Sequence, residues 1–292
     1  MGLAAGDALG TTVEFSPRGS FEELKDMVGG GPFKLRPGQW TDDTSMALCL
    51  AESLVEKDGF DAKDQIQRYC KWMETGYLSS NGTCFDIGNT VASALRRFRD
   101  TGEPYSGSTH PRSAGNGSIM RLAPIPMKYF SKIDQAEYMS GESSKTTHGA
   151  EECIDACRLL ARIIVRALSG QSRDEILLAD RESFHGSKNI VAIARGEYLE
   201  KQESMVHGTG YVVQSLEAAL WCFARSRSYK DAVLRAANLG DDADTTAAIC
   251  GQVAGAYYGL SGIPPKWIQK LALRATIINL SDLLFSGQAS YG

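Results

Sequence analysis

The chain has 292 residues, with 31 Lys and Arg against 35 Asp and Glu and a formal net charge of -4. That length suits one large domain with an ample core, and no Pro/Ser-rich linker or low-complexity stretch divides it. Mild acidity without a basic block argues against nucleic acid as the main partner, so an anionic ligand would need local help from Arg, backbone N–H groups or a bound cation.

The seven cysteines include no C-x-x-C pair, and Cys49, Cys157 and Cys222 fall inside apolar helical patterns. Free thiols in a reducing cytoplasm are expected, and a zinc site is not. Met1 leads straight into Gly-Leu-Ala-Ala-Gly-Asp with no basic leader, so no signal peptide is expected. The longest uncharged stretch, Thr245 to Pro265, carries glycines, two tyrosines and paired prolines. It reads as a tightly packed buried helix rather than a membrane span.

The dominant period along the chain is helical. The first clear helix follows Thr41, runs through Met46 to Val55 and stops before Asp58-Gly59. Val91, Leu95 and Phe98 mark a second helix that ends near Gly102. Cys157, Leu160, Ile164 and Leu168 mark a third, closed by Ser169-Gly170. Val213, Leu216, Leu220 and Phe223 form the next stripe, and a helix of small residues spans Ala247 to Gly259. Trp267, Leu271, Arg274 and Ile278 lie along a last one. Strand-like alternation is nearly absent, so an all-α domain over 1–292 is expected. Two Gly-rich loops, Val28 to Phe33 and Ser113 to Ser118, interrupt it as candidate functional loops.

Two carboxylate clusters carry the chemistry. Thr41-Asp42-Asp43-Thr44 opens a helix, where Thr41 or Asp42 can cap and acids in the first turn suit the dipole. Gly240-Asp241-Asp242-Ala243-Asp244-Thr245-Thr246 also leads into a helix, with more carboxylates than a cap requires. Like charges this close raise one another's pKa unless a cation neutralises them. Asp242 and Asp244 alternate through an extended approach, so both can project to one side. The small face of the following helix (Ala247, Ala248, Gly251, Ala254, Gly255) admits a close neighbour, which lets its N-terminus meet that of the Thr41 helix. Oxygen donors without His or Cys select a hard cation, magnesium or manganese before zinc.

In order along the chain come Gly6-Asp7-Ala8-Leu9-Gly10 with Glu14, Trp40-Thr41-Asp42-Asp43-Thr44, Phe85-Asp86-Ile87-Gly88-Asn89-Thr90, Gly115-Asn116-Gly117-Ser118-Ile119-Met120-Arg121, Thr147-His148 and Gly240 to Thr245. This series resembles the motifs of the ADP-ribosylglycohydrolase family, most of all its bacterial dinitrogenase-reductase-activating members. The resemblance implies a compact, orthogonal helical bundle with two magnesium ions at the base of a cleft, manganese being a possible substitute. It implies Thr41, Asp42 and Asp43 on one side of the metal pair and Asp242, Asp244 and Thr245 on the other. It places Glu14 on a loop beside the metals and Asn89, Ser113, Gly115, Asn116, Gly117 and His148 on the ligand. The glycines would leave backbone N–H groups open to a diphosphate.

The implied partner is an ADP-ribosylated protein and the product ADP-ribose, with neither nucleic acid nor membrane involved. The reaction is hydrolysis at C1″ of the distal ribose, with Asp86 holding or protonating an arginine guanidine and Glu14 a candidate base for water. Asp7 reads as a buried carboxylate bonded to local backbone, and Arg121 as one half of an internal ion pair. Two features depart from the family pattern: the chain begins almost at Gly6-Asp7, and Ala114 stands where some relatives carry an aromatic residue. Alternatives are hydrolysis of a serine or O-acetyl linkage, a metal-dependent phosphohydrolase, and a non-catalytic ADP-ribose binder.

Overall fold

The chain turns helical at its second residue. Helices α1 (Gly2–Gly10), α2 (Asp42–Glu56), α3 (Ala62–Thr75) and α4 (Asn89–Thr101) come first, with a short 3-10 turn (Thr11–Val13) after α1. Next are α5 (Pro124–Lys128), α6 (Ile133–Lys145), α7 (Glu151–Leu168), α8 (Arg173–Leu178) and α9 (Lys188–Ala194). The last group is α10 (Val212–Ala224), α11 (Tyr229–Ala237), α12 (Ala243–Tyr258), α13 (Pro265–Lys270) and α14 (Arg274–Ser286). The computed structural model describes residues 1–286, so the last positions of the expected 1–292 domain lie outside the described residues. Among the described residues extended pairing is confined to isolated bridges, Gly30 with Leu35, Ser108 with His148 and Gly115 with Tyr211. The architecture is all-α.

Helix α12 is the axis of the fold. Its residues from Ala243 through Ala254 are all buried, as expected for a helix with apolar or small side chains on every face. The small face receives α1. Gly2, Gly6 and Gly10 recur every four residues and line one side of α1. A Cβ on Gly6 would stand 2.2 Å from the Ala247 carbonyl oxygen, and one on Gly10 would stand 2.4 Å from that of Ala243. The two backbones therefore touch without side chains between them. The side chains of α7, α10 and α11 close the rest of the core around α12 through Cys157, Leu160, Leu216, Phe223, Ala232 and Val233.

Two expected elements differ. Helix α12 starts at Ala243, so Asp244 lies in the first helical turn rather than on an extended approach. The last stripe is not one helix: the chain breaks between α13 and α14, with Leu273 in the left-handed region at φ 49°. Tertiary hydrogen bonds explain the break. The Ala272 N–H donates to the Gly38 carbonyl at 2.9 Å, and the Trp40 indole N–H donates to the Ala272 carbonyl at 3.3 Å. Residues 271–273 are thus held open to anchor the segment that enters the first acidic cluster. Among the described residues, no helix is long and apolar enough to cross a membrane.

The α1–α12 contact gives a test of sign. In an exposed helix Gly→Ala adds about 1 kcal/mol of stability. Gly6→Ala should instead lower it, because the added methyl would meet backbone, and overpacking costs about 1–3 kcal/mol. Thermal unfolding followed by circular dichroism should show a lower Tm for Gly6→Ala than for wild type.

Candidate active site

The site begins with a carboxylate that works at a distance. Asp7, on α1 and fully buried, accepts from the Thr41 N–H at 2.9 Å and the Thr44 N–H at 3.0 Å. It also accepts from the hydroxyls of Thr41 at 2.9 Å and Thr44 at 2.6 Å. Asp7 therefore caps α2 from another helix, and its partners are not local to it in sequence. Thr41 occupies the N-cap position, but its side chain makes no capping bond there. Its hydroxyl is turned toward carboxylates instead. Burial pushes the Asp7 carboxyl up to about 6, held down from further rise by those four donors.

The N-termini of α2 and α12 meet over this hydroxyl. Thr41 Oγ1 lies 3.0 Å from Asp244 Oδ2 and 3.4 Å from Asp43 Oδ2, and Thr245 Oγ1 lies 3.4 Å from the same Asp43 oxygen. Too few protons are available for so many acceptors. Asp43 Oδ1 and Asp244 Oδ1 are buried and have no hydrogen-bond partner. Such orphaned buried oxygens are costly unless a proton or cation meets them. The donors there are all hard oxygens, which fits a divalent cation such as magnesium.

Above this floor opens a cavity of about 530 Å³. Glu14, Asp42, Asp86, Asn89, Gly115, Asn116, Gly117, His148, Asp242, Asp244 and Thr245 all line it; among the described residues no Lys or Arg does. Thr41 and Asp43 lie fully buried beneath, and Ser113 faces an adjoining cleft of about 900 Å³. Carboxylate oxygens of Glu14, Asp86 and Asp244 come within 4.8 Å of one another. Burial and then the neighbouring Asp86 push Glu14 up to about 10. Burial and the charge of Asp242 push Asp86 up to about 7. Asp42, Asp43 and Asp244 are driven well above the usual carboxylate range, first by burial and then by their acidic neighbours.

Local structure sets two of these groups. Asp86 sits in the left-handed region at φ 59°, ahead of α4, whose N-cap is Gly88 with no side-chain capping bond. Helix capping therefore does not account for Asp86. Phe15, next to Glu14, is also left-handed at φ 61°, and its N–H is held by the Asp241 carbonyl at 2.7 Å. Phe15 is 65% exposed, a strong departure for so large an apolar group. Phe15 meets Phe33 edge-on at 6.4 Å, and Phe33 meets Phe85 at 5.2 Å, which makes an aromatic rim beside Glu14 and Asp86. The first Gly-rich loop contributes only Phe33 to this region; Gly30 pairs with Leu35 in a tight reversal.

The second Gly-rich loop is more occupied than its sequence suggests. The Gly115 N–H donates to the Ser113 carbonyl at 2.8 Å, and the Asn116 N–H donates to the Gly210 carbonyl at 3.1 Å. Those two N–H groups are therefore not open to a diphosphate. The Asn116 side chain donates to Asp242 Oδ2 at 2.7 Å and to Ser215 Oγ at 3.1 Å, orienting the Asp242 carboxylate. Ser113 turns its hydroxyl onto the His110 carbonyl at 2.6 Å. Gly117 makes room for a side chain: a Cβ there would lie 2.8 Å from His148 Cε1. Arg121 has no carboxylate partner among the described residues. It donates to the Gly117 carbonyl at 2.9 Å and to Thr147 Oγ1 at 2.7 Å, with its guanidinium 4.7 Å from the Tyr69 ring centroid.

Sequence reasoning missed the segment His207-Gly208-Thr209-Gly210-Tyr211. The Asp242 N–H donates to the Gly208 carbonyl at 2.9 Å, and the Val212 N–H donates to the Ala114 carbonyl at 3.1 Å, so this segment joins both halves of the site. Its two glycines just before α10 were the available signal. Tyr211 lines the adjoining cleft near Ala114 and donates to Glu152 at 2.7 Å.

Comparison with known proteins identifies the family. The ADP-ribosylglycohydrolase family profile matches residues 1–291. The ADP-ribosylarginine hydrolase Tri1 of Pseudomonas putida (strain GB-1) is 45% identical over 285 residues, covering 98% of this chain and 76% of that protein. The ADP-ribosyl-[dinitrogen reductase] glycohydrolase of Rhodospirillum rubrum is 31% identical over 281 residues, covering 94% of this chain and 89% of its own. A solved structure described as an ADP-ribosylglycohydrolase-related protein complex superposes with a TM-score of 0.86 at 42% identity, covering 98% of this chain and 95% of the other. With its whole length matched and its motifs gathered in one cavity, the chain belongs to the ADP-ribosylglycohydrolase family of enzymes.

Proposed function

We propose that the protein is a magnesium-dependent hydrolase that releases ADP-ribose from arginine side chains of modified proteins, cutting the N-glycosidic bond at C1″ of the distal ribose. The observation that carries this reading is the pair of orphaned oxygens, Asp43 Oδ1 and Asp244 Oδ1, beneath a cavity lined by carboxylates and by no cationic side chain among the described residues. The arginine linkage is supported by relatives named for it.

Thr41, Asp42 and Asp43 on one side and Asp242, Asp244 and Thr245 on the other would hold two magnesium ions. When bound, these supply positive charge that orients the ribose hydroxyls and polarises water. The chain's own groups act around them. The carboxylates stabilise positive charge that develops at C1″ as its bond to nitrogen weakens. The C1″–N bond breaks with its electron pair going to the guanidine. Water gives hydroxide to C1″, and its remaining proton ends on the departing nitrogen. Asp86, at the cavity wall, would carry that proton. Glu14 is the candidate that orients the attacking water. The rim of Phe15, Phe33 and Phe85 offers aromatic faces to a planar cation beside these acids, which suits a guanidinium.

Incubation with ADP-ribosylated arginine protein should release free ADP-ribose, rather than AMP or inorganic phosphate, and EDTA should stop the release. Asp244→Asn should lower the rate by at least a hundredfold with the helical circular dichroism unchanged, an order of magnitude typical of losing preorganised charge. Near-wild-type turnover in Asp244→Asn would contradict the ligand set. Asp86→Asn should keep stability and ADP-ribose affinity but lose most arginine-linkage hydrolysis, measured against a serine-linked peptide. Full arginine-linkage activity in Asp86→Asn would remove its role.

The raised carboxyl pKa values also set a pH dependence. Glu14 and Asp86 bind protons more tightly folded than unfolded, so their contribution to stability is full below about pH 4 and is lost as pH rises through about 7 and 10. In EDTA the Tm should fall between pH 5 and pH 8, and magnesium should flatten that slope. Thermal unfolding across this range reads both.

A further inference from the structure

Arg121 is fully buried, and its acceptors among the described residues are all neutral: the Gly117 carbonyl at 2.9 Å and Thr147 Oγ1 at 2.7 Å, with longer contacts to Thr146 Oγ1 and the Met46 sulfur. A guanidinium in that position is expensive to keep. It has no acceptor of its own to offer, so the Thr147 hydroxyl at 2.7 Å must receive its hydrogen bond. That hydroxyl also lies 2.9 Å from His148 Nδ1. With one lone pair engaged by Arg121, the remaining choice concerns the hydroxyl proton. If Nδ1 carried a proton, Thr147 would face two donors and its own proton would have no acceptor among the described residues. If Nδ1 is bare, the hydroxyl proton goes to it, and the Thr147 hydroxyl and Nδ1 are both matched. The difference biases the imidazole on the order of tenfold to a hundredfold toward the form protonated on Nε2.

The backbone that carries the ring is bonded on both sides. The His148 N–H donates to the Ser144 carbonyl at 2.7 Å, and the Ser144 hydroxyl donates to the His148 carbonyl at 2.8 Å. Gly117 and Gly115 lie against the imidazole edge, where a Cβ on Gly117 would stand 3.1 Å from Nε2 and one on Gly115 would stand 3.4 Å from it. The imidazole lines the cavity, and Nε2 has no hydrogen-bond partner among the described residues. Burial and then the Arg121 charge keep it neutral, pushing its pKa down to about 3.

We propose that Arg121 and Thr147 are positioning residues that fix the tautomer of His148, so that a neutral imidazole presents Nε2–H to the cavity as a hydrogen-bond donor to an oxygen of the ligand. The identity of that ligand as the ADP-ribosyl group rests on the functional reading above; the tautomer does not. In this arrangement His148 is neither a general base nor a metal ligand, because its cavity-facing nitrogen already carries the proton. Arg121 also holds the Gly117 carbonyl, so one guanidinium sets both the glycine loop and the donor beneath it.

The test is a long-range proton–nitrogen NMR spectrum of the protein labelled with 15N-histidine, with the His148 signals assigned by their loss in His148→Asn. The chain has only four His residues, which keeps the spectrum simple. The expected result is a protonated Nε2 and a bare Nδ1 from pH 5 to pH 8. Thr147→Val keeps the shape and removes the proton donor. It should abolish the single-tautomer signature and weaken ADP-ribose binding by about tenfold, and Thr147→Ser should restore both. A protonated Nδ1 or an imidazolium in the wild type would overturn the proposal, and that reading needs no variant to fold. An unchanged tautomer in Thr147→Val would overturn it too. A wild type with the expected tautomer that binds no ADP-ribose would overturn the ligand and the functional reading behind it, while the relay itself would stand.

Discussion

The molecule is organised around carboxylates that have been taken out of water together. Asp7, Glu14, Asp42, Asp43 and Asp244 are all buried, and they converge with Asp86 and Asp242 on one cavity and its floor. Like charges in that space raise one another's proton affinity and oppose folding. Two devices keep them there. The contact of α1 with α12 brings backbone against backbone through Gly2, Gly6 and Gly10, so the helix carrying Asp7 is fixed relative to the helix carrying Asp244. Asp7 then spends four hydrogen bonds on the first turn of α2, which fixes Asp42 and Asp43 relative to both. The acidic floor is therefore tied together by the protein's own contacts, and preorganisation of this kind lets charge be held where a cation or a developing positive charge will use it.

Much of this was legible in the sequence because the relevant signals are local. A run of acids and hydroxyls at a helix start can be read from adjacent residues, as with Thr41 to Thr44 and Gly240 to Thr246. The small face of α12 announced a close helix neighbour. Sequence analysis brought only the Thr41 helix to it, whereas α1 packs along that face through Gly2, Gly6 and Gly10, whose four-residue spacing was the available signal. Long-range hydrogen bonds were equally hidden. Asp7 bonds to a helix more than thirty residues away, and Asp86 lies outside the cap of α4 because Gly88 takes that position. The break between α13 and α14 reflects Gly38 and Trp40, which no pattern within residues 265–278 reveals.

The glycine loop shows how one residue type can serve a purpose other than the obvious one. Gly115-Asn116-Gly117 suggested open backbone donors for a phosphate. In the structure the first two N–H groups are spent on Ser113 and Gly210, and the missing Cβ of Gly117 makes room for the His148 ring. The loop is positioned from below by Arg121, from the side by the 208–212 segment, and through Asn116 by Asp242. Loop, histidine and acidic floor are one hydrogen-bonded assembly, so a ligand bound across them would be read by a single surface.

The central claim is that Asp43 and Asp244 share a cation between the N-termini of α2 and α12. Crystals grown with manganese, with diffraction recorded at the manganese absorption edge, test it directly. An anomalous peak is expected in contact with the carboxylate oxygens of Asp43 and Asp244 that have no hydrogen-bond partner among the described residues. A map with no anomalous density between those two helices, in crystals whose bound manganese lies elsewhere, would contradict it.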